Sequence, residues 1–175
     1  TDFVEWLFRA EVPEMENGAV EIKAIAREAG VRSKIAVSST VPGVDPVGTF
    51  VGGHGTRVNA VMSEIGEQEK IDIIVFDENN VNFITNALSP TKVTSVAIDE
   101  GSKKATVSVP EDQLSIAIGK GGQNVRLASK LTGYEIDIES AKSNVVEQPQ
   151  TEEKVKPPKL KKKAELESSL LEAIE

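Results

Sequence analysis

IAIGKGGQNVRLASKLTG (residues 116–133) carries helical periodicity on both sides of three glycines, Gly119, Gly121 and Gly122. An interior glycine costs a helix about 1 kcal/mol relative to alanine, so three within four residues break it. The break has two possible reasons: the chain turns tightly there, or something approaches its backbone closely.

The same layout occurs earlier in the chain. VDPVGTFVGGHGTRVNAVMSEIG (44–66) and PEDQLSIAIGKGGQNVRLASKLTG (110–133) each place an apolar triplet before the glycines, Val47, Phe50, Val51 and Leu114, Ala117, Ile118. G-x-x-G follows as Gly52-Gly53-His54-Gly55 and Gly119-Lys120-Gly121-Gly122. A second helical pattern then runs to a terminal glycine, Gly66 or Gly133, a common C-terminal cap. Each unit continues into a strand with the same tripeptide, Ile71-Asp72-Ile73 and Ile136-Asp137-Ile138. Upstream of each lies a strand pair with period-two alternation: AVEIKAIAR with SKIAVSS, and KVTSVAID with KKATVSV. A helical stretch precedes each pair, near Asp2–Ala10 and Asn80–Leu88, the latter stopped by Ser89-Pro90. The chain thus reads as α+β, α-β-β-α-α-β twice, with domains at 1–78 and 79–140.

Composition narrows the function. The 175 residues are 39% hydrophobic and only 4% aromatic, so the core is aliphatic. No stretch approaches the roughly 20 apolar residues of a membrane span, and the first residues lack the pattern of a signal peptide. With no cysteine and one histidine, thiolate and histidine metal sites are excluded, and no cofactor is implied. The reading is a soluble protein. Because the chain opens on Thr1 inside a helical pattern, it reads as a piece of a longer polypeptide or as one whose initiator was removed.

Net charge is −8, yet from Ser140 onward seven lysines balance seven glutamates. The whole excess of acid falls on the preceding residues, which argues against coating nucleic acid by bulk attraction. Any RNA or DNA site must be local. Residues 141–175, polar and holding Pro149, Pro157 and Pro158, read as a flexible linker or tail. Its last stretch, AELESSLLEAIE, puts Leu166, Leu170, Ala173 and Ile174 on one face of a possible short helix.

A helix–G-x-x-G–helix unit leaves the first N–H groups of its second helix unpaired. They and the helix dipole favour an anion over the loop, and a phosphodiester fits. Val51 and Ile118 stand near the floor of the groove beside it, where bases can lie. KH domains clamp about four nucleotides of single strand in this way.

The α-β-β-α-α-β order is that of the type II, prokaryotic KH fold. VDPVGTFVGGHGTRV with EKIDII, then QLSIAIGKGGQNVRLASKLTGYEIDI, resembles the tandem KH pair of the bacterial transcription factor family NusA. FRAEVPEMENGAVEIKAIAREAGVRSKIAVSS resembles the start of that family's first KH domain, so the likeness covers about residues 1–139. It implies single-stranded, nascent RNA as ligand, and a non-enzymatic cytoplasmic role in RNA polymerase pausing, termination and antitermination. It also implies polymerase contact mainly through domains outside this chain, other antitermination factors as partners, and no membrane. Carried onto this sequence, it implies RNA contact at Gly52, Gly53, His54, Gly55 and Arg57 in the first unit. In the second it implies contact at Gly119, Lys120, Gly121, Gly122, Asn124, Arg126 and Lys130. The second loop has the more charge, since a histidine is mostly neutral near pH 7.

Other readings use the same residues. Another tandem KH protein, acting in RNA processing or on the ribosome, or a scaffold that binds only protein, is compatible with the pattern. A nucleotide triphosphate site is not: Gly48 to Gly53 has Walker spacing, but His54-Gly55 stands where Lys-Ser/Thr is required. Lys23, Arg27, Arg32 and Lys34 read either as a wider positive surface or as solvated strand edges. Trp6 reads as a packing residue, and Asp72 and Asp137 read as solvent-facing.

Overall fold

The computed structural model describes residues 2–141. The expected terminal tail and its short helix lie outside the described residues. The elements run α1 (Asp2–Glu11), β1 (Val20–Glu28), β2 (Arg32–Ser39), α2 (Pro46–Val51), α3 (Thr56–Ile65) and β3 (Lys70–Val75). They repeat as α4 (Asn80–Ala87), β4 (Ser95–Asp99), β5 (Lys104–Val109), α5 (Leu114–Ile118), α6 (Gln123–Thr132) and β6 (Glu135–Ser140). This is the order that the repeat predicts. Local chemistry sets the ends: the Asn79 side chain accepts from the N–H groups of Val81 and Asn82 to start α4. The Asp99 carboxylate holds Gly101 and Ser102 in the β4–β5 turn.

Each motif builds one three-stranded sheet, ordered β1-β2-β3 and β4-β5-β6, with an antiparallel first pair and a parallel second pair. The two sheets differ in what covers them. On the first, large residues (Ile25, Ile35, Val37, Ile71, Ile73) pack with α1, α2 and α3 around Phe8 and Phe50. Its opposite face is lined by Ala24, Ala26, Ala36 and Ile74, and meets Phe83, Ile84, Ala87 and Leu88 of α4 and its cap, with Leu127, Ala128 and Leu131 of α6. Small side chains allow helices to come close, so the alternation of isoleucine with alanine records two covered faces. Consequently β2 is buried without interruption from Ser33 to Val37.

The second sheet turns Ala105, Val107, Val109 and Ile136 to that same helical layer. Its other face, with Thr106, Asp137 and Glu139, meets solvent. The stack is therefore helices, sheet, helices, sheet, and the two motifs share one core as one compact unit. The exposed Phe3 and Trp6 on α1 correct the packing role read for Trp6, which is 65% exposed. No helix among the described residues is long and apolar enough to cross a membrane.

Candidate nucleic-acid interface

Both glycine segments fold as the same tight link. α2 ends at Gly52 (φ 75°, ψ 166°) and α5 at Gly119 (φ 76°, ψ 170°). Two residues on, His54 (φ 54°, ψ 24°) matches Gly121 (φ 62°, ψ 22°). Gly55 (φ 77°, ψ 15°) and Gly122 (φ 74°, ψ 15°) then open α3 and α6.

The glycines do different work. A Cβ on Gly52 would lie 2.8 Å from Cγ of Arg57, and one on Gly119 would lie 2.8 Å from the backbone nitrogen of Asn124. The chain's own packing demands that position. At Gly53 and Gly121 a Cβ would meet nothing within 4 Å, so the loop fronts open space there. His54 holds a left-handed conformation that costs an ordinary residue about 1–2 kcal/mol.

Loop amides follow the same plan. The N–H of Gly55 donates to the Gly52 carbonyl (3.0 Å) and that of Gly122 to the Gly119 carbonyl (3.1 Å). The N–H groups of Gly53 and His54, and of Lys120 and Gly121, have no hydrogen-bond partner among the described residues. Neither α3 nor α6 has a side-chain cap. Unpaired donors and the positive helix end thus face outward together, the chemistry that receives an anion.

Around the loops, the side chains divide. Lys120, Lys130 and His54 are exposed. Val51 is half-buried beside the first loop, and Ile118 is 37% exposed beside the second, with Ile116 exposed near it. Asn124 departs from the expectation of RNA contact: it is buried, and its amide nitrogen donates to the carbonyls of Ala117 (3.0 Å) and Leu88 (3.3 Å). Arg57, at the equivalent place, donates to the Thr49 carbonyl (2.8 Å) and to both oxygens of Glu14 (3.0 and 3.2 Å). These two side chains tie each second helix back to the first, and so brace the loops from behind. Arg126 lies further along α6, bonded to the Gly121 carbonyl (3.0 Å) and to the Glu28 carboxylate. That contact holds Glu28 below the usual carboxylate range.

A cavity of about 180 Å³ lies between α2, β3 and the end of α4, lined by Val47, Ile73, Ile74, Val75, Asn86 and Ser89. Asn86 and Ser89 follow from the second motif, and the Asn86 amide donates to the Val75 carbonyl (3.1 Å). No local pattern in the sequence marks these two residues, because only the packing of α4 on the first sheet brings them there.

Three of the four cations of the first hairpin, Arg27, Arg32 and Lys34, depart from both readings made of them. Arg27 pairs with buried Glu69 (2.8 Å), Arg32 with Asp72 (2.9 Å), and Lys23 with Glu21 (2.6 Å). Lys34 is fully buried, bonded to Asp72 (3.2 Å) and the Ser89 carbonyl (3.0 Å). The charge of Arg27, Arg32 and Lys34 is spent on carboxylates of the first motif, whereas Lys23 is exposed and lies on a solvated edge. Asp72 is correspondingly half-buried in an ion-pair cluster, whereas Asp137 does face solvent.

Comparison with known proteins meets this geometry. Residues 1–76 match the NusA-like first KH domain, and residues 80–145 match the NusA-like second KH domain. The chain belongs to the NusA family of tandem KH domains. It is 56% identical over 138 residues to the transcription termination/antitermination protein NusA of Thermus thermophilus, covering 79% of this chain and 35% of that protein. NusA of Bacillus subtilis is 56% identical over 134 residues, covering 77% of this chain and 36% of that protein. NusA of Mycobacterium tuberculosis is 56% identical over 138 residues, covering 78% and 40%. The chain therefore spans well under half the length of these NusA relatives. The crystal structure of APE1850 shares 23% identity at a TM-score of 0.55, covering 79% of this chain and 96% of that one, and supports the fold alone.

Proposed function

We propose that this chain binds single-stranded RNA through both G-x-x-G loops, as the RNA-reading part of a NusA-type factor that modulates pausing, termination and antitermination. The observation that carries this reading is the matched pair of loops, each presenting two unpartnered N–H groups at an uncapped helix start. Phosphates sit over the loops, and bases lie against Val51 in the first motif and Ile118 in the second. Lys120 and Lys130 add charge at the second loop; Gly53 and His54 leave the first loop open and nearly neutral. The role is binding without turnover. It takes place on nascent transcripts in the bacterial cytoplasm, with RNA polymerase and antitermination factors engaged through the parts of the longer protein that this chain does not span.

The test is a fluorescence titration with an unstructured, labelled oligoribonucleotide. Lys120→Asp with Gly121→Asp places two carboxylates over the second loop and is expected to weaken binding roughly tenfold or more, with a urea midpoint lowered by no more than the equivalent of the roughly 1–2 kcal/mol that a left-handed side chain costs at Gly121. Gly53→Asp with His54→Asp tests the first loop, with a smaller loss expected. Binding equal to the parent in both variants would remove the RNA reading.

A further inference from the structure

Glu28 ends β1 of the first motif, yet its carboxylate faces the second motif's loop. It accepts from Nε and from Nη2 of Arg126 (3.0 Å for the latter) and from the Gln123 amide (3.4 Å), and the charge of Lys130 acts on it as well. The third contact of Arg126, from Nη1 to the Gly121 carbonyl, fixes the guanidinium against the loop itself. The Arg126 side chain remains 47% exposed, while that of Glu28 is 19% exposed. A two-pronged carboxylate on a guanidinium fork has the geometry and the single charge of a phosphodiester.

Resting on the RNA reading above, we propose that Glu28 is a built-in competitor of RNA, occupying the Arg126 fork that a phosphate takes over on binding. The exchange is nearly even in charge, so Arg126 contributes less net affinity than a free arginine. What it gains is placement, since the fork is already extended along the loop before RNA arrives. The arrangement is confined to the second loop: Asn59 holds the corresponding place in α3, and Arg57, with Glu14, is tied into the brace behind the first loop.

The full chain is titrated with the same labelled oligoribonucleotide at several salt concentrations. Glu28→Gln keeps the shape and removes the charge; it is expected to tighten binding about three- to tenfold at low salt, with a steeper salt dependence as Arg126 and Lys130 become free for phosphate. Arg126→Gln weakens binding, and adding Glu28→Gln to it recovers only the smaller part carried by Lys130; a gain as large as in the parent background overturns the proposal. Unchanged or weaker binding by Glu28→Gln at an unchanged urea midpoint overturns the proposal. Should Glu28→Gln lower that midpoint, Glu28→Asp withdraws the carboxylate by one methylene; a gain over the parent supports the competition and no gain overturns it. The two readings fail separately. Loss of binding in the Lys120→Asp, Gly121→Asp variant without a gain in Glu28→Gln removes the competitor alone, whereas parental binding in that variant and in the Gly53→Asp, His54→Asp variant removes the RNA reading.

Discussion

Asp72 and Asp137 occupy the same tripeptide, on the same strand of two copies of one motif, and live in opposite surroundings. In the parallel registers Asp72 lies beside Lys34 and Asp137 beside Thr106. The first pair is covered, with Lys34 fully buried and Arg32 completing the cluster. Its counterpart looks into water. What differs is the neighbour: the first sheet is roofed by the second motif's helices, and the second sheet has no such layer among the described residues. The fate of a charged strand residue is thus set by whether the neighbouring copy of the motif covers it.

The sharpest way to break the comparison is to remove both carboxylates. Asp72→Ala strands a buried ammonium, and the expected loss is about 3 kcal/mol or more in urea unfolding, as for a broken buried pair. Asp137→Ala is expected to stay within about 0.5 kcal/mol, as at ordinary surface sites. Equal losses would mean that the two faces are energetically alike.

Next in size is the roof itself. Ala36→Leu pushes bulk into the contact with α4 and α6 and should cost about 1–3 kcal/mol. Ser108→Leu, the equivalent place on the second sheet, should change stability by about 0.5 kcal/mol or less by the same urea measurement.

Acid extends the contrast to the residue before each strand, Glu69 in one motif and Tyr134 in the other. Glu69 is 1% exposed, and burial pushes its carboxyl up, but Arg27, the Gly30 N–H and Ser33 together hold it below the ordinary value. Its folded pKa is thus lower than its unfolded one. The stability it adds is present above the unfolded value near 4.5 and is lost as pH falls through the lower folded value. Urea midpoints measured from neutral to acid pH should fall less steeply in Glu69→Gln than in the parent. Tyr134 has no proton to gain in that range, but its hydroxyl donates to exposed Glu100 (2.7 Å) and, ahead of Asn80 and Lys103, holds that carboxyl below its ordinary value, so Tyr134→Phe should flatten the slope too, by less than Glu69→Gln.

The smallest effect concerns the loops. His54→Gly relieves the left-handed side chain and gives the first loop the backbone freedom of Gly121. It should raise the urea midpoint by the equivalent of about 1 kcal/mol or less, because glycine's own entropy offsets part of the relief. A lower midpoint would show that the His54 side chain stabilises the loop.

The repeat made most of the fold legible. Glycine breaks, helix stops and period-two strands are local signals, and they place the six α-helices and six strands of the described residues in order. What escaped is what long-range packing decides. Lys34, Asp72 and Ser89 are far apart in sequence, so no window reveals that one ammonium joins them. Asn124 looked like a ligand-facing amide because the first turn of a helix is normally exposed; α4 and the chain end of α5 closed over it. A usable hint did exist, since Ala24, Ala26 and Ala36 alternate with isoleucines where a solvated face would carry polar residues. Of the candidate site, the loops and their exposed lysines were legible. The carboxylates that hold Arg57 and Arg126 were not, being supplied by Glu14 and Glu28 from distant turns.

Thr106, Ser108, Asp137 and Glu139 on the outer sheet also carry a consequence for growth of the array. Sheet-on-helix stacking is an extensible scheme: each copy offers the next a face to sit on, as repeats do in a solenoid. The inner copy presents Ala24, Ala26, Ala36 and Ile74 on that face and pairs its buried ammonium, Lys34, with Asp72, and so accepts a successor. On the outer copy Asp137 lies beside Thr106 in place of a lysine, so covering that face would strand its charge. The two copies of the motif are thereby non-interchangeable: a charge that is paired under cover in one stands in water in the other.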